Sequence, residues 1–343
     1  MIDVKDFKAA LKSGDLGGIY VFAGEEEYLK RYYLAELRSA VVADEALAVF
    51  NNPVFDGEEI DFAAIAEAIK APPVMSDYKL IEWRHADFTA LTEKGLESLE
   101  EIAELCSEHP YATVAFLTLA DGLDFGVGKR QSKFITRFDK RLRIVRLDKS
   151  GERQLLGWLK RHFDSHGVGV SLDALNALVL TSGRSMDVLV GEVEKLSALA
   201  LSRGQKEISV RDVSEVASPT PESEAFALSN AITDKNRTAA LAALYEMKSR
   251  RVDPAVIIGM LSRSFGELAA VGALAAEGHG APDIASALGM APFKVGLCVT
   301  GAKRYGKEAL ASIVSEIARV DAESKFGGLS GYTAVELFIA KYV

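Results

Sequence analysis

Short apolar segments alternate with amphipathic segments through the first 150 residues, and this alternation restricts the chain to few folds. Residues 19–23 form an apolar run that ends at Gly24, which is typical of a buried strand. Residues 25–42 carry apolar side chains three and four positions apart, which predicts a helix. Further strands are predicted at 48–55, 79–83, 113–119 and 143–147, and further helices at 60–69, 91–106 and 129–138. Strands that alternate with helices indicate an α/β domain with a mostly parallel sheet.

The strand pattern ends at Asp148, and the rest of the chain favours helices. Three helices are predicted at 151–166, 171–181 and 186–203. Residues 218–223 contain two prolines and three hydroxyl side chains, a composition typical of a linker. The sequence therefore predicts three domains: an α/β domain at 1–148, a three-helix domain at 149–217 and an all-helical domain at 218–343.

Composition and charge exclude several classes of protein. The chain has 343 residues, a net charge of −9 and two cysteines without metal-ligand spacing. An acidic chain is a poor stand-alone binder of nucleic acid, because binding needs an excess of Lys and Arg on one face. No uninterrupted apolar run approaches the ~18 residues of a membrane span, and the first 15 residues lack a signal-peptide core. We therefore expect a cytoplasmic protein that does not contact a membrane.

The turn after the first strand is where a phosphate-binding loop would lie. Its sequence is GEEEYL, from Gly24 to Leu29, with three consecutive carboxylates and no Gly-Lys-Ser/Thr. Like charges would repel a triphosphate, so this turn argues against nucleotide binding. A second candidate loop contains the pair Gly128-Lys129, which is followed by Arg130 in place of Ser or Thr. Its spacing also departs from a phosphate loop, and an ordinary loop is favoured.

Catalytic and metal motifs are weak in this sequence. His162 and His166 are four residues apart, but the acidic residue of a zinc-protease motif does not stand between them. Residues 281–299 are similar to a helix-turn-helix. The second helix of that pair is too apolar for a DNA groove, so a helix-packing corner is favoured over DNA reading.

The segment Ala71–Asp77 (APPVMSD) is the most unusual connection in the chain. Its prolines stop the preceding helix, and Val74 and Met75 follow at a position where loops normally lie in water. Two interpretations remain open. The pair packs onto its own domain, or it enters an apolar pocket of a partner, for which a flexible methionine is well suited.

Several segments follow one another in a specific order and spacing. They are YVFAGEEEYL at 20–29, FDG at 55–57, PVMSDYKL at 73–80, EVEKL at 192–196, Pro254 with Arg263 and Phe265, residues 284–293, and Asp321 with Lys325. In this order they resemble the delta-subunit family of the bacterial DNA polymerase III clamp loader, across nearly the whole chain.

The resemblance implies a RecA-like domain of AAA+ type that has lost nucleotide binding, then a small helical lid and an all-helical collar. It implies that an apolar pair on the first domain enters a pocket of the ring-shaped beta sliding clamp and opens the ring. The matching positions are Pro73, Val74 and Met75, where the family often has a phenylalanine. It also implies a non-catalytic subunit without cofactors, assembled with the tau/gamma ATPase and delta-prime subunits on primed DNA.

Basic positions that could meet DNA inside such an assembly are Lys129, Arg130 and Lys133. Two functions from other classes remain as alternatives. One is a helix-turn-helix regulator that uses residues 284–299, and the other is an active AAA+ ATPase.

Overall fold

The structure, a computed structural model, describes residues 1–42, 44–127, 130–290, 292–325 and 331–343, with only the backbone described at Glu222. The chain divides into two units, Met1–Gly151 and Glu152–Val343. A parallel sheet lies in the first unit, and the second is largely helical. The further division into a lid and a collar near residue 217 stays a prediction.

The strands of the first unit confirm the predicted α/β class. They are β1 (Gly18–Ala23), β2 (Val54–Asp56), β3 (Lys79–Ala86), β4 (Ala112–Thr118), β5 (Gly126–Val127), β6 (Arg130–Gln131) and β7 (Arg143–Arg146). Five of them form one parallel sheet in the order β2-β3-β4-β1-β7. The other two, β5 and β6, pair as a short antiparallel hairpin. The central strand β4 is buried along its whole length, which explains its largely apolar sequence.

Helices cover both faces of this sheet. They are α1 (Val4–Ser13), α2 (Glu27–Val41), α3 (Ala48–Asn51), α4 (Phe62–Lys70), α5 (Glu93–Glu108) and α6 (Lys133–Phe138), with a 3₁₀ turn at Glu45–Leu47. Tyr20 and Phe22 of β1 pack in the core formed with α1 and α2, whereas Ile19 and Val21 pack in the core formed with α4, α5 and α6. This alternation along one strand produces two separate apolar layers.

Two predicted segments are wrong in part. Residues 48–55 are predicted as extended, but their first half is the helix α3. The reason is that the Asp44 side chain accepts a hydrogen bond from the Ala46 N–H at 2.9 Å and starts a turn that continues into α3. Residues 129–138 are predicted as one helix, yet α6 begins only after Ser132, which caps it.

The second unit contains ten helices among the residues that the structure describes. They are α7 (Glu152–Ser165), α8 (Leu172–Ser182), α9 (Met186–Ser202), α10 (Val210–Val216), α11 (Pro221–Thr233), α12 (Arg237–Ser249), α13 (Pro254–Ala276), α14 (Ala281–Leu288), α15 (Pro292–Lys325) and α16 (Gly331–Tyr342). Two short parallel strands, β8 (Gly169–Val170) and β9 (Glu207–Ile208), join the loops of this unit. Helix α15 is broken at Gly306, where φ is 74° and ψ is 165°.

The predicted linker at 218–223 is shorter than expected. The Thr220 side chain accepts a hydrogen bond from the Ser223 N–H at 3.1 Å and caps α11. Pro221 is the first residue of that helix, where its missing N–H is not needed. Helix α11 therefore begins inside the predicted linker.

Helices α13 and α15 form the centre of the C-terminal core. Ile257, Leu261 and Phe265 of α13 are buried there together with Val295 and Cys298 of α15. Helix α13 is long and apolar enough to cross a membrane by length and composition. The central helix of a large core also meets these criteria of length and composition. The buried side chains of α13 pack as those of such a core helix do.

Both cysteines are expected to resist thiol reagents in the folded protein. Cys106 and Cys298 are buried, and burial raises the pKa of the two thiols to about 12 and about 11. Since the thiolate is the reactive form, both groups stay protonated and shielded at pH 8. Titration with a chromogenic disulfide should detect almost no thiol before denaturant is added and two thiols afterwards. Rapid modification of either cysteine in the native protein would contradict this expectation.

Candidate functional site

The connection between α4 and β3 carries an exposed apolar tip, which we define as Pro73, Val74 and Met75. Helix α4 stops at Lys70, and the two prolines that follow Ala71 cannot continue it. Val74 is 41% exposed and Met75 is 90% exposed. The apolar pair that the sequence singles out therefore does not lie in the core of its own unit.

Two hydrogen bonds hold the base of this connection where it leaves α4. Tyr111 Oη donates to the Ile69 carbonyl at 3.1 Å, at the end of α4. Lys79 Nζ donates to the Ala71 carbonyl at 3.2 Å from the start of β3. Burial lowers the pKa of Lys79. The tip thus projects from a base that is held at two points.

A buried amide holds the backbone of the tip. Asn51, the last residue of α3, is 2% exposed. Its Nδ2 donates to the Val74 carbonyl at 2.8 Å, and its Oδ1 accepts from the Val74 N–H at 2.7 Å. The next residue, Met75, has φ of 51°, a left-handed conformation that costs a non-glycine residue roughly 1–2 kcal/mol. The two hydrogen bonds of Asn51 help to hold the chain in this conformation.

Helix α3 presents two further exposed apolar side chains that the sequence analysis misses. Val49 is 78% exposed and Phe50 is 58% exposed. The segment was assigned to a strand because Val and Phe favour strands. The residue that could have indicated a turn is Asp44. It precedes α3 by four residues, and aspartate is well suited to cap the start of a helix.

The turn after β1 contains a lysine that the sequence analysis treats as missing. Lys30 stands six residues after Gly24, the spacing of the lysine in a phosphate loop. It is fully buried, and its Nζ donates to Glu27 Oε1 at 2.6 Å and to the Thr118 carbonyl at 2.7 Å. The lysine is present, but its charge is already compensated inside the fold.

The backbone of the same turn is also occupied. The Glu26 N–H donates to the Leu147 carbonyl at 2.9 Å. A Cβ atom at Gly24 would lie 2.4 Å from that carbonyl oxygen, so β7 approaches the turn where phosphates would lie in an open loop. In a phosphate loop, a glycine precedes the lysine, and a Ser or Thr with a metal-binding hydroxyl follows it. Here leucine and arginine occupy these two positions, so the turn does not form a phosphate cradle.

The candidate DNA contacts lie on other elements of the first unit. Arg130 is an exposed residue of the hairpin strand β6, and Lys133 is the exposed first residue of α6. Lys129 lies outside the described residues. The β5–β6 hairpin and α6 are separate from the α4–β3 connection, so the contacts predicted for DNA and for a partner occupy different elements.

The helix-turn-helix candidate is a packing corner in the structure. Ile284 and Ala285 of α14 and Val295 and Cys298 of α15 are buried in the C-terminal core. Gly289, in a left-handed conformation, ends α14. The face of the second helix that carries Val295 and Cys298 is thereby covered by its own unit, whereas Phe293 and Leu297 stay partly exposed.

The histidine pair is not part of a metal site in the part of the chain that the structure describes. His162 stacks on Trp158 with ring centroids 5.1 Å apart, and burial lowers the pKa of His162. Groups of three or more metal-ligating side chains are absent from the described ranges. The aromatic packing of α7 accounts for this pair.

Strand order and the turn after β1 define the class of the first unit: a parallel-sheet α/β domain in which the end of β7 closes the turn after the first strand. Two family models match the chain. One describes the delta subunit of DNA polymerase III and matches residues 20–125, and the other describes the C-terminal domain of the same subunit and matches residues 222–342. The chain belongs to the DNA polymerase III delta subunit family, whose role is in DNA replication.

Two relatives agree with this family. The Bacillus subtilis DNA polymerase III subunit delta is 26% identical over 342 residues, covering 98% of this chain and 96% of the relative. The solved structure of a Bacillus subtilis DNA clamp loader delta protein is 23% identical, covers 99% of both chains and superposes with a TM-score of 0.63. The latter similarity shows a shared fold.

Proposed function

We propose that this protein binds the ring-shaped beta sliding clamp and opens one of its interfaces for loading onto primed DNA. The observation that carries the proposal is the exposed Val74–Met75 pair on a connection whose base and whose Val74 backbone are held by hydrogen bonds. A methionine held almost fully in water gains most when it enters an apolar pocket of a partner. The name of the Bacillus subtilis relative, a DNA clamp loader delta protein, supports the same role.

The energy available from this contact is sufficient for a specific interaction. Burying two such side chains contributes ~3–6 kcal/mol before the cost of association. A few apolar anchors seated in a pocket account for most of the affinity in many small interfaces. The preformed tip reduces the ordering cost, because Val74 is already held by Asn51.

Ring opening requires that the protein bind the open clamp more tightly than the closed one, since a ligand shifts an equilibrium only by its differential affinity. The rigid sheet beneath the tip suits this task, because a firmly held anchor can oppose closure of the ring. Clamp protomers with a disrupted ring interface should accordingly bind this protein more tightly than the intact ring does.

The direct test is binding of the full chain to the sliding clamp of its own organism, measured by surface plasmon resonance and by co-elution in gel filtration. The proposal expects a saturable complex with the intact clamp and a tighter one with interface-disrupted clamp protomers. A folded chain that binds neither form would overturn it.

Within this proposal the protein is a non-catalytic subunit, and ATP hydrolysis comes from the tau/gamma subunits. The all-helical region 218–343 holds these subunits and delta-prime, and the assembly works in the cytoplasm on primed DNA. The compensated Lys30 and the occupied Glu26 N–H support the assignment of ATP chemistry to the partners.

The isolated chain is expected to bind magnesium-ATP with a Kd weaker than about 1 mM, equivalent to less than ~4 kcal/mol. The measurement is isothermal titration calorimetry of the wild-type chain and of the Lys30→Ala variant. Saturable binding that disappears in Lys30→Ala would show that the lysine reaches phosphates, and it would revive the active-ATPase alternative.

Contact with DNA in the assembly is assigned to Arg130 and Lys133, with Lys129 next to them in the sequence. Both described side chains are exposed to solvent. Because phosphate contacts are electrostatic, replacing both with serine should reduce the salt dependence of DNA binding by the assembled loader. An unchanged salt dependence would remove them from the DNA path.

A further inference from the structure

We propose that helix α3 is a second part of the clamp-contacting surface: Phe50 and Val49 are apolar contacts, and Asn51 is the residue that positions the tip. This inference rests on the proposed function and extends it to an element that precedes the tip by more than twenty residues.

A pair of hydrogen bonds links Asn51 of α3 to Val74 of the tip. One side-chain amide satisfies both the N–H and the carbonyl of the same residue, at 2.7 and 2.8 Å. The amide is buried, so losing it would leave two backbone groups of Val74 without these partners. Because of this link, α3 and the tip behave as one body.

Val49 and Phe50 lie close to Asn51 within α3 itself. The helix has four residues, Ala48 to Asn51, and at 1.5 Å rise per residue it is only about 6 Å long. Phe50 and Val49 therefore lie within one helical turn of the residue that binds Val74. Together with Val74 and Met75, they place four exposed large apolar side chains on two elements that Asn51 links.

Helix α3 and the tip share a groove. It has a volume of about 490 Å³, and its lining includes Asn51 of α3 and Met75 of the tip together with Ala40 and Val41 of α2. A partner that covers Met75 would lie over this groove and meet the adjacent α3. The occupant to which we commit is therefore the same sliding clamp.

The test is the affinity of the full chain for the sliding clamp, with matched control variants. Val49→Ser with Phe50→Ser should weaken binding about tenfold, whereas Val127→Ser, at an equally exposed valine on the β5–β6 hairpin, should have no effect. Asn51→Ala should also weaken binding about tenfold. Its control is Asn52→Ala, which removes another buried amide that donates to the Leu80 carbonyl at 3.1 Å and does not hold the tip.

A double-mutant cycle separates positioning from a general structural effect. If Asn51 acts through the tip, Asn51→Ala should cost affinity in the wild-type chain and almost nothing when Val74 and Met75 are already serine. An equal loss in both backgrounds would overturn the positioning role. Circular dichroism checks the fold, and the surface variants at Val49 and Phe50 keep the test valid should Asn51→Ala fail to fold.

Failure of the inference and failure of the proposed function give different results. If the wild-type chain binds the clamp and only the tip variants lose affinity, α3 is not part of the surface. If the wild type does not bind at all, the proposed function fails and the inference falls with it. A change in self-association in the α3 variants, with clamp affinity unchanged, would instead assign this surface to a second copy of the chain.

Discussion

Serine at both Val74 and Met75 is expected to lower the affinity for the sliding clamp by ~10²-fold or more, because about 3 kcal/mol of apolar burial would be lost. The fold should remain intact, since neither side chain belongs to a core of the first unit. The measurement is surface plasmon resonance against the clamp, with circular dichroism and thermal unfolding of the same samples.

The single variants should divide this loss unequally. Met75 is far more exposed than Val74 and has more area to bury, so Met75→Ala is expected to cost more than Val74→Ala. The control is Val127→Ser, which removes an exposed apolar side chain from another element. A folded double variant that binds as tightly as the wild type would show that the contact lies elsewhere, even if clamp binding itself is confirmed.

The sequence predicts the sheet because its central strands are buried on both faces. A strand covered by helices on both sides must be largely apolar, as residues 113–119 are, and this pattern is typical of the central strands of such a sheet. The short edge strand β2 and the turn before it lack this constraint. There the side chain of Asp44 caps the 3₁₀ turn at Glu45–Leu47, and the chain continues from this turn into the helix α3.

The tip itself could be predicted, but its environment could not. Two prolines and an apolar pair single out Pro73 to Met75 in the local sequence, but the residues alone leave open whether the pair packs onto its own domain or meets a partner. The support from Asn51 is invisible at that level, because the two partners are 23 residues apart, one at the end of the short helix α3 and the other in an irregular connection. The exposure of Met75 likewise depends on which neighbours the fold brings close.

The phosphate turn shows a different limit of sequence reasoning. Its missing glycine and hydroxyl residue are visible in the sequence, and they lead to the expectation that ATP does not bind. The burial of Lys30 is a tertiary fact, because its second partner is a carbonyl at the end of β4. A lysine at the right spacing is therefore not sufficient evidence for a phosphate site.

Alanine at Gly24 is expected to lower the free energy of unfolding of the first unit by about 3 kcal/mol or more. Two effects combine at this position. The residue has φ of 125°, where side chains are strained, and a Cβ atom would lie 2.4 Å from the Leu147 carbonyl oxygen. That oxygen belongs to the backbone and accepts from the Glu26 N–H, so it cannot move away without losing a hydrogen bond.

The matched control is Gly14→Ala. Gly14 also has a positive φ, 74°, but the space around its Cβ position is open to 4 Å. Its substitution should cost only the conformational term of roughly 1 kcal/mol. The difference between the two variants measures the steric closure of the turn by β7.

Urea unfolding in a Trp158→Phe background makes Trp83, on β3, the reporter of the first unit, because the chain has two tryptophans. Equal losses of unfolding free energy in the two glycine variants would mean that β7 does not sterically close the turn. If Gly24→Ala costs more unfolding free energy than Gly14→Ala, as expected, then Gly24 leaves room for the Leu147 carbonyl at the end of β7. In an open loop, a glycine at this position would leave room for a phosphate. Closure of the turn would then be part of the folded core, so this site could not regain nucleotide binding by restoring the missing side chains alone.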